Sequence, residues 1–234
     1  GRLAAGVAVA YAVSTLSRLA VRKPAAFGQG STPLKRGILG GYEATVTVAA
    51  IATAVTIWSR FSDAAGWRLI LLLAEAESLY LLGVVFQQPF LQLLAAPGFA
   101  CCLVTLQQVA ADDHSRWSWG VLTPLPWVPH AIGLASVFGG NRAVAHRIDP
   151  RPQHSWESLF SYAATGLLTS CVAAEGFGGQ LGLEPYHLGA AAILVAWLLL
   201  QLAIWADLDE LFIQMQLVGI TGGFVTLIIN GLLI

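Results

Sequence analysis

Long apolar runs, separated by short polar stretches, follow one another along the whole chain. Most runs approach the roughly 20 residues with which an α-helix spans the hydrocarbon core of a bilayer. Because no water is present in that core, backbone amides must be bonded within the segment, and a helix achieves this. Eight apolar segments are predicted, at Leu3–Ser17, Tyr42–Trp58, Trp67–Phe86, Phe90–Ala110, Val121–Phe138, Leu159–Ala174, Leu188–Ala206 and Leu211–Leu233.

The fifth segment is interrupted by prolines. Pro124, Pro126 and Pro129 lie within six residues, and proline removes a backbone donor and clashes with the preceding turn of a helix. We therefore expect a break near residues 121–130 and a short or re-entrant crossing that begins near Val128. The whole pattern predicts an all-α, polytopic bundle of seven or eight transmembrane helices.

Composition supports lipid as the solvent of this chain. Of its 234 residues, 56% are hydrophobic and 11% are charged, whereas a soluble domain carries about 25% charged residues. So few charges do not cover a water-facing surface of this length, and we expect one transmembrane domain over residues 1–234. The net charge of −1 provides no basic surface for nucleic acid.

Basic residues concentrate after the first and fifth segments, which predicts the side of the membrane on which these connections lie. The stretch after the fifth segment contains Arg142, Arg147 and Arg151. With eight crossings, both connections share the cytoplasm-, matrix- or stroma-like side. The acidic stretch with Asp207 and Glu210 follows the seventh segment and is predicted on that side as well.

Two acidic residues, Glu75 and Glu77, lie near the middle of the third segment. Acids inside a membrane are expensive to ionise, and they are candidates for handling a proton, an ion or a ligand. Two positions apart on a helix, they point about 200° away from each other, so they do not line one pathway. In the competing interpretation, each is protonated, paired or hydrogen-bonded within a helix bundle.

Neutral polar residues form a second candidate set. Gln201 lies deep in the seventh segment, and Gln214 lies one helical turn after Glu210. One interpretation is a polar cavity between the third, seventh and eighth segments, and the other is ordinary hydrogen bonding between helices. The predicted intramembrane polar site therefore comprises Glu75, Glu77, Gln201 and Gln214.

The chain contains no familiar catalytic or metal-binding motif. Its five histidines lie in connections or near segment ends, and its three cysteines lack the spacing of zinc ligands. No catalytic residue, metal site or particular cofactor is predicted. A P-loop, a nucleophile elbow and an HExxH helix are missing from the sequence. Lys23 and Lys35 lie in the first connection, which does not suit a retinal protein.

Small residues crowd the first, second and eighth segments, and they let helices approach closely in lipid. The chain begins at Gly1 rather than Met, so either an N-terminal segment has been removed or the sequence is only part of the protein. Removal of a targeting segment would suit import into an organelle. We expect an accessory or structural subunit of a large energy-transducing complex, such as a respiratory electron-transport, ATP synthase or photosynthetic assembly. Its expected partners are membrane lipids and other membrane subunits.

The expected location is the mitochondrial inner membrane, with the thylakoid or a bacterial inner membrane as alternatives. The competing function comes from a different class of protein. In that interpretation the chain is a stand-alone membrane transporter or a lipid-processing enzyme, and Glu75 or Glu77 serves as its intramembrane acid.

Overall fold

The computed structural model describes residues 32–86, 88–112, 124–148, 158–178 and 187–232. Within these ranges, side chains are described except at positions 32–39, 112, 148, 177, 178, 188 and 229–232. The predicted first segment, Leu3–Ser17, lies outside the described residues.

Every regular element in the described ranges is an α-helix, and these ranges contain no strand. The all-α prediction is therefore confirmed for this part of the chain. The seven helices are α1 (Thr32–Arg60), α2 (Ala65–Val85), α3 (Pro89–Asp112), α4 (Trp127–Ile148), α5 (Ser158–Gly178), α6 (Leu188–Ala206) and α7 (Asp209–Leu232).

Four of these helices contain a stretch that is long and apolar enough to cross a membrane. Only 17–33% of each stretch is buried, so most of its apolar surface faces outward. Such a surface suits hydrocarbon rather than water, and the four helices are compatible with an integral membrane protein. The stretches are Gly40–Arg60 in α1, Pro89–Ala111 in α3, Gly189–Ala206 in α6 and Asp209–Ile228 in α7.

The other three helices, α2, α4 and α5, have similar lengths of 21–22 residues. Two of them, α2 and α4, contain charged side chains well inside the helix. Arg68, Glu75 and Glu77 all belong to α2, and Arg142 and Arg147 belong to α4. Inside hydrocarbon, each of these groups needs a partner or a change of protonation. The neighbouring residues therefore determine whether each charge is compensated.

The chain divides into two compact units, Gly1–Thr105 and Leu106–Ile234, and the boundary lies inside α3. In the first unit, α2 and α3 join through a tight connection in which the Gln88 N–H donates to the Gly83 carbonyl at 2.6 Å. A Cβ atom at Gly83 would lie 2.7 Å from Cγ of Gln92, so this close approach requires glycine. The Tyr42 hydroxyl of α1 donates to Oε1 of Gln88 at 3.2 Å and ties α1 to the same connection.

Aromatic and small residues hold the middle of α2 against α3. Tyr80 and Phe99 are both buried, and their rings meet edge to face with centroids 6.2 Å apart, a favourable arrangement for two aromatic rings. At Gly98, a Cβ atom would lie 2.8 Å from the Cβ atom of Ala76. The two helices therefore approach closely at the level of Glu75.

In the second unit, α4 and α5 run antiparallel, because Leu125 just before α4 meets Glu175 near the end of α5 and Phe138 meets Phe160. The rings of Phe138 and Phe160 lie 5.5 Å apart. This aromatic contact forms the buried centre of the pair.

A glycine-mediated contact joins α6 to α7. A Cβ atom at Gly222 would lie 2.1 Å from Cβ of Ala192, and one at Gly189 would lie 1.7 Å from Oγ1 of Thr226. Both glycines are therefore required for the observed distance between the two helices, as expected of close helix packing in lipid.

The turn between α6 and α7 has local causes. Asp207 adopts the left-handed conformation with φ 55° and ψ 48°, and the Leu208 N–H donates to the Ala203 carbonyl at 3.2 Å. With Leu208 and Ala203 in one buried cluster, this is the helix ending known as the Schellman motif. Asp209 and Glu210 occupy the first turn of α7, where the helix dipole favours acidic residues.

The proline-rich stretch precedes α4, as the sequence predicts. Pro124 and Leu125 lie outside any helix, and α4 begins at Trp127, one residue before the expected Val128. Pro129 lies in the first turn of α4, where the missing N–H costs no hydrogen bond within the helix.

The predicted connection after this segment is wrong in one respect. Arg142 and Arg147 lie inside α4, which continues to Ile148. The apolar run ends near Phe138, but the following residues still permit a helix. Arg142 also finds an acidic partner within the protein, so the helix does not need to end where the charges begin.

Candidate functional site

A buried polar cluster connects α5 to α7. The Thr165 hydroxyl donates to Oε1 of Gln214 at 2.5 Å, and Nε2 of Gln214 donates to the Ser161 hydroxyl oxygen at 2.9 Å. The Ser161 hydroxyl in turn donates to the carbonyl of Ser158 at 2.9 Å. Gln214 is only 2% exposed, and its amide is engaged by both neighbours. The predicted site residue Gln214 therefore serves as a contact between helices.

An ion pair lies one turn away along α7. Nε of Arg142 in α4 donates to Oε1 of Glu210, and the two side chains are 11% and 14% exposed. The pair places the second half of α4 and the start of α7 at the same end of the unit. The side of the membrane on which these two stretches lie stays a prediction.

Sequence reasoning did not identify this pair. Arg142 and Glu210 are far apart in the chain, so no local spacing connects them. The sequence did indicate a polar face on α7, because Glu210 and Gln214 are four residues apart and lie on one side of this helix. That face packs against polar groups of α4 and α5.

Glu175 of α5 accepts a hydrogen bond from the backbone just before α4. The Leu125 N–H donates to Oε1 of Glu175 in α5 at 2.5 Å. Leu125 lies between two prolines, neither of which has an N–H to donate, and a carboxylate near a helix start is favoured by the helix dipole. Glu175 therefore has a structural role that its position near the end of an apolar segment did not reveal.

Glu75 has different surroundings from these engaged groups. Its Oε1 atom is shielded from solvent and has no hydrogen-bond partner in the described part of the chain. The Cys102 thiol of α3, which is fully buried, lies close enough to interact with Glu75 electrostatically. The adjacent Ala76 packs against Gly98. This carboxyl oxygen therefore lies among apolar and weakly polar groups.

The two remaining predicted residues lie in other environments. Glu77 is partly buried and has an interaction partner. Gln201 lies on the exposed surface of α6, whereas Gln214 is buried against α5. The described structure therefore does not bring Gln201 and Gln214 together in one enclosed site.

A cleft of about 350 Å³ lies between α5, α6 and α7. Its walls are mostly apolar, and Gln201 and Gln214 are not among the described residues that line it. Such walls offer contact area to a hydrocarbon chain and few hydrogen bonds to a polar ligand. The lining includes Val172, Ala192, Val195, Leu217 and Gly222.

Across the described residues, no group of three or more His, Cys, Asp and Glu side chains is arranged to hold a metal ion. Comparison with known proteins finds no matching family model, no matching curated protein and no matching solved structure. What the chain does is therefore inferred from the chemistry of its own residues.

Proposed function

We propose that this protein is an accessory or structural membrane subunit of a large organellar energy-transducing complex, such as a respiratory-chain, ATP synthase or photosynthetic assembly. In this proposal the chain crosses the membrane seven or eight times. The seven described helices and the predicted segment Leu3–Ser17 supply eight crossings, or seven if the proline-preceded α4 is re-entrant. The proposed location is the mitochondrial inner membrane, with the thylakoid or a bacterial inner membrane as alternatives.

The observation that carries this proposal is an open small-residue face on α1. Gly40, Gly41, Ala44 and Thr45 are all exposed, and a Cβ atom at either glycine would meet nothing within 4 Å. The Thr45 hydroxyl donates to the Gly41 carbonyl at 2.7 Å, so the face presents no unsatisfied hydroxyl. In lipid, faces of this kind allow helices to associate by close packing.

The contact between α6 and α7 shows how such small-residue faces pack when a second helix lies against them. There, Gly222 meets Ala192 and Gly189 meets Thr226. The face on α1 has the same residue types, and no described residue would lie within 4 Å of a Cβ atom on either of its glycines. This contrast supports a helix of another subunit as the partner of α1.

The polar groups of the second unit support a structural role. The Arg142–Glu210 pair and the Gln214 cluster link α4, α5 and α7 to one another. Side chains that already satisfy one another hold a bundle together and are poorly placed to bind a polar substrate. Membrane lipids are the other proposed partners, with a hydrocarbon chain in the cleft between α5, α6 and α7.

The test is solubilisation in a mild detergent, followed by native gel separation and mass spectrometry of the band that contains this chain. Co-migration at very large mass with respiratory, ATP synthase or photosystem proteins supports the proposal and names the complex. Migration alone, or as a small homo-oligomer, contradicts it.

A pair of variants makes this test specific to α1. In Gly41→Leu, a large side chain fills the small-residue face, and the helix is not weakened because leucine favours helix more than glycine does. The control is Val55→Leu, which enlarges a side chain that is 61% exposed on the same helix. The proposal expects loss of co-migration for Gly41→Leu alone, and equal co-migration of both variants contradicts the role of this face.

A second candidate function is a stand-alone transporter or a lipid-processing enzyme in which Glu75 or Glu77 is the working acid. The shielded, unpartnered oxygen of Glu75 favours this candidate. If it is correct, Glu75→Gln or Glu77→Gln abolishes the activity of the purified chain. If the subunit proposal is correct, neither variant does more than weaken assembly.

A further inference from the structure

The Oε1 atom of Glu75 is shielded from solvent and has no hydrogen-bond partner among the described residues. We propose that Glu75 is a proton-binding site inside the membrane, where its carboxyl group holds a proton at the contact between α2 and α3. The inference rests on the proposed membrane crossing of α2, and it applies to either candidate function.

Glu75 lies at the middle of α2. Ten residues of α2 separate it from each end of the helix, Ala65 and Val85, which corresponds to about 15 Å at 1.5 Å per residue. The hydrocarbon core of a bilayer is about 30 Å thick. If α2 crosses the membrane, Glu75 lies near its midplane, where an ionised and unpaired carboxylate is least stable.

Among the described residues of α1, α2 and α3, no cation is placed to compensate a negative charge at the middle of α2. Arg68 is the basic residue of α2, but its guanidinium lies 4.6 Å from the ring centroid of Trp58, and its Nη1 atom donates to the Ser62 carbonyl at 3.2 Å. The side chain therefore points to the start of α2 and not to its middle.

The neighbouring helices add no positive charge either. The sequence of α3 contains no basic residue, and that of α1 contains none between Arg36 and Arg60. The group of α3 that interacts with Glu75 is the Cys102 thiol, which is a weak hydrogen-bonding group. A proton is therefore the simplest way to remove the charge.

A metal cation is a poorer ligand for this position. Hard cations such as Ca²⁺ and Mg²⁺ take six or more oxygen ligands, counting water. Oε1 of Glu75 has no hydrogen-bond partner among the described residues, and α2 and α3 pack closely beside it through Ala76 and Gly98. These groups supply no oxygen cage, whereas a proton needs only the carboxyl group itself.

Carbodiimide labelling tests this proposal, because the reaction requires a protonated carboxyl group. The acid proton moves to one nitrogen of the carbodiimide, and the carboxyl oxygen bonds to its central carbon to form an O-acylisourea. This adduct rearranges to a stable N-acylurea that retains all atoms of both reactants. Nothing is oxidised or reduced in this rearrangement, and no group leaves. Where glycine ethyl ester is present, its amine attacks the acyl carbon of the O-acylisourea instead, an amide forms and the substituted urea leaves.

The full-length protein in its native membrane is treated in two ways. One sample receives dicyclohexylcarbodiimide, which enters hydrocarbon, and the other receives a water-soluble carbodiimide with glycine ethyl ester. Peptide mass spectrometry then compares Glu75 with two controls. Glu77 lies on the same helix as Glu75 and has an interaction partner, and Asp63 is exposed in the connection before α2.

We expect the hydrophobic reagent to modify Glu75 at least about tenfold more than Glu77, the ratio for protonation free energies that differ by about 1.4 kcal/mol. We expect the water-soluble reagent to modify Asp63 and not Glu75. Modification of Glu75 by the water-soluble reagent to the same extent as Asp63 contradicts the membrane crossing of α2. Equal labelling of Glu75 and Glu77 by the hydrophobic reagent contradicts a special site at Glu75.

An infrared measurement covers the outcome in which neither reagent modifies Glu75. Subtracting the spectrum of Glu75→Gln from that of the unaltered protein isolates the carboxyl group, and glutamine has nearly the shape of the neutral acid. A carbonyl stretching band of a protonated acid supports the proton site. A carboxylate band in its place overturns the proton site and leaves the membrane crossing intact.

Discussion

Glu210 and Glu75 carry the same carboxyl group in two different regions of the molecule. Glu210 lies in the first turn of α7 and accepts a hydrogen bond from Arg142 of α4. Glu75 lies in the middle of α2, and Oε1 has no partner in the described residues. A helix start and a nearby guanidinium both stabilise a negative charge, and the middle of a helix offers neither. The surroundings of Glu210 therefore compensate a negative charge, whereas the described residues around Glu75 do not.

The largest loss of stability is expected when Glu210 loses its partner Arg142. Arg142→Leu leaves Glu210 as an unpaired, mostly buried charge, which destabilises the protein by about 3 kcal/mol. Thermal unfolding in one detergent measures this loss. Arg147→Leu is the control because Arg147 is exposed on the same helix, and the double variant with Glu210→Leu is expected to recover most of the stability. Equal melting temperatures for the two arginine variants contradict the comparison.

The next effect concerns the α6–α7 contact on which the position of Glu210 depends. Gly222→Ala places a methyl group where it would lie 2.1 Å from Cβ of Ala192, and such overpacking destabilises by about 2 kcal/mol. Gly223→Ala is a matched control, since a Cβ atom there meets nothing within 4 Å. Denaturant titration compares the two variants, and the same loss for both argues against the glycine contact.

A smaller effect is expected for the neutral cluster beside the ion pair. Gln214→Leu removes the partner of the Ser161 and Thr165 hydroxyls, at a cost of about 1 kcal/mol, since hydrogen bonds between membrane helices are individually weak. Gln216→Leu tests the specificity because Gln216 is exposed two residues away. If Gln216→Leu destabilises the protein as much as Gln214→Leu, the cluster is not the cause.

The smallest effect is expected at Glu75. Glu75→Gln replaces a neutral acid with a neutral amide of nearly equal shape, so the stability should change by less than about 0.5 kcal/mol. The same substitution at Glu210 leaves Arg142 unpaired and should be clearly more destabilising. Parallel melting curves of Glu75→Gln and Glu210→Gln measure this difference. A large loss for Glu75→Gln indicates that its charge is used, and the distinction between the two regions then fails.

Much of the described fold could be predicted from apolar periodicity and breakers. Run length predicted five of the seven described helices to within four residues at each end, and the prolines at 124 and 126 predicted the break before α4. The start of α1 was predicted wrongly, because this helix begins at Thr32, ten residues before Tyr42, and includes Lys35, which the sequence placed in a connection. The end of α4 could not be predicted in this way. Its arginines resemble the start of a connection, and only the partner Glu210 explains why the helix continues through Arg142.

The candidate site could also be predicted only in part. Residue type and depth in an apolar run were enough to select Glu75, Glu77, Gln201 and Gln214 as polar groups that need an explanation. Depth in a run does not determine which side of a helix packs against a neighbour. The structure places Gln214 inside a hydrogen-bonded cluster and Gln201 on an exposed surface, although both lie within apolar segments.

The sequence alone therefore determined the class of the protein, because composition and run length report directly on the solvent that a chain prefers. It also determined which side chains are costly in that solvent. Only the tertiary structure decided which of them are compensated, because the partners come from distant parts of the chain. Arg142 reaches Glu210, and Ser161 and Thr165 reach Gln214, while Oε1 of Glu75 meets no such group in the described helices.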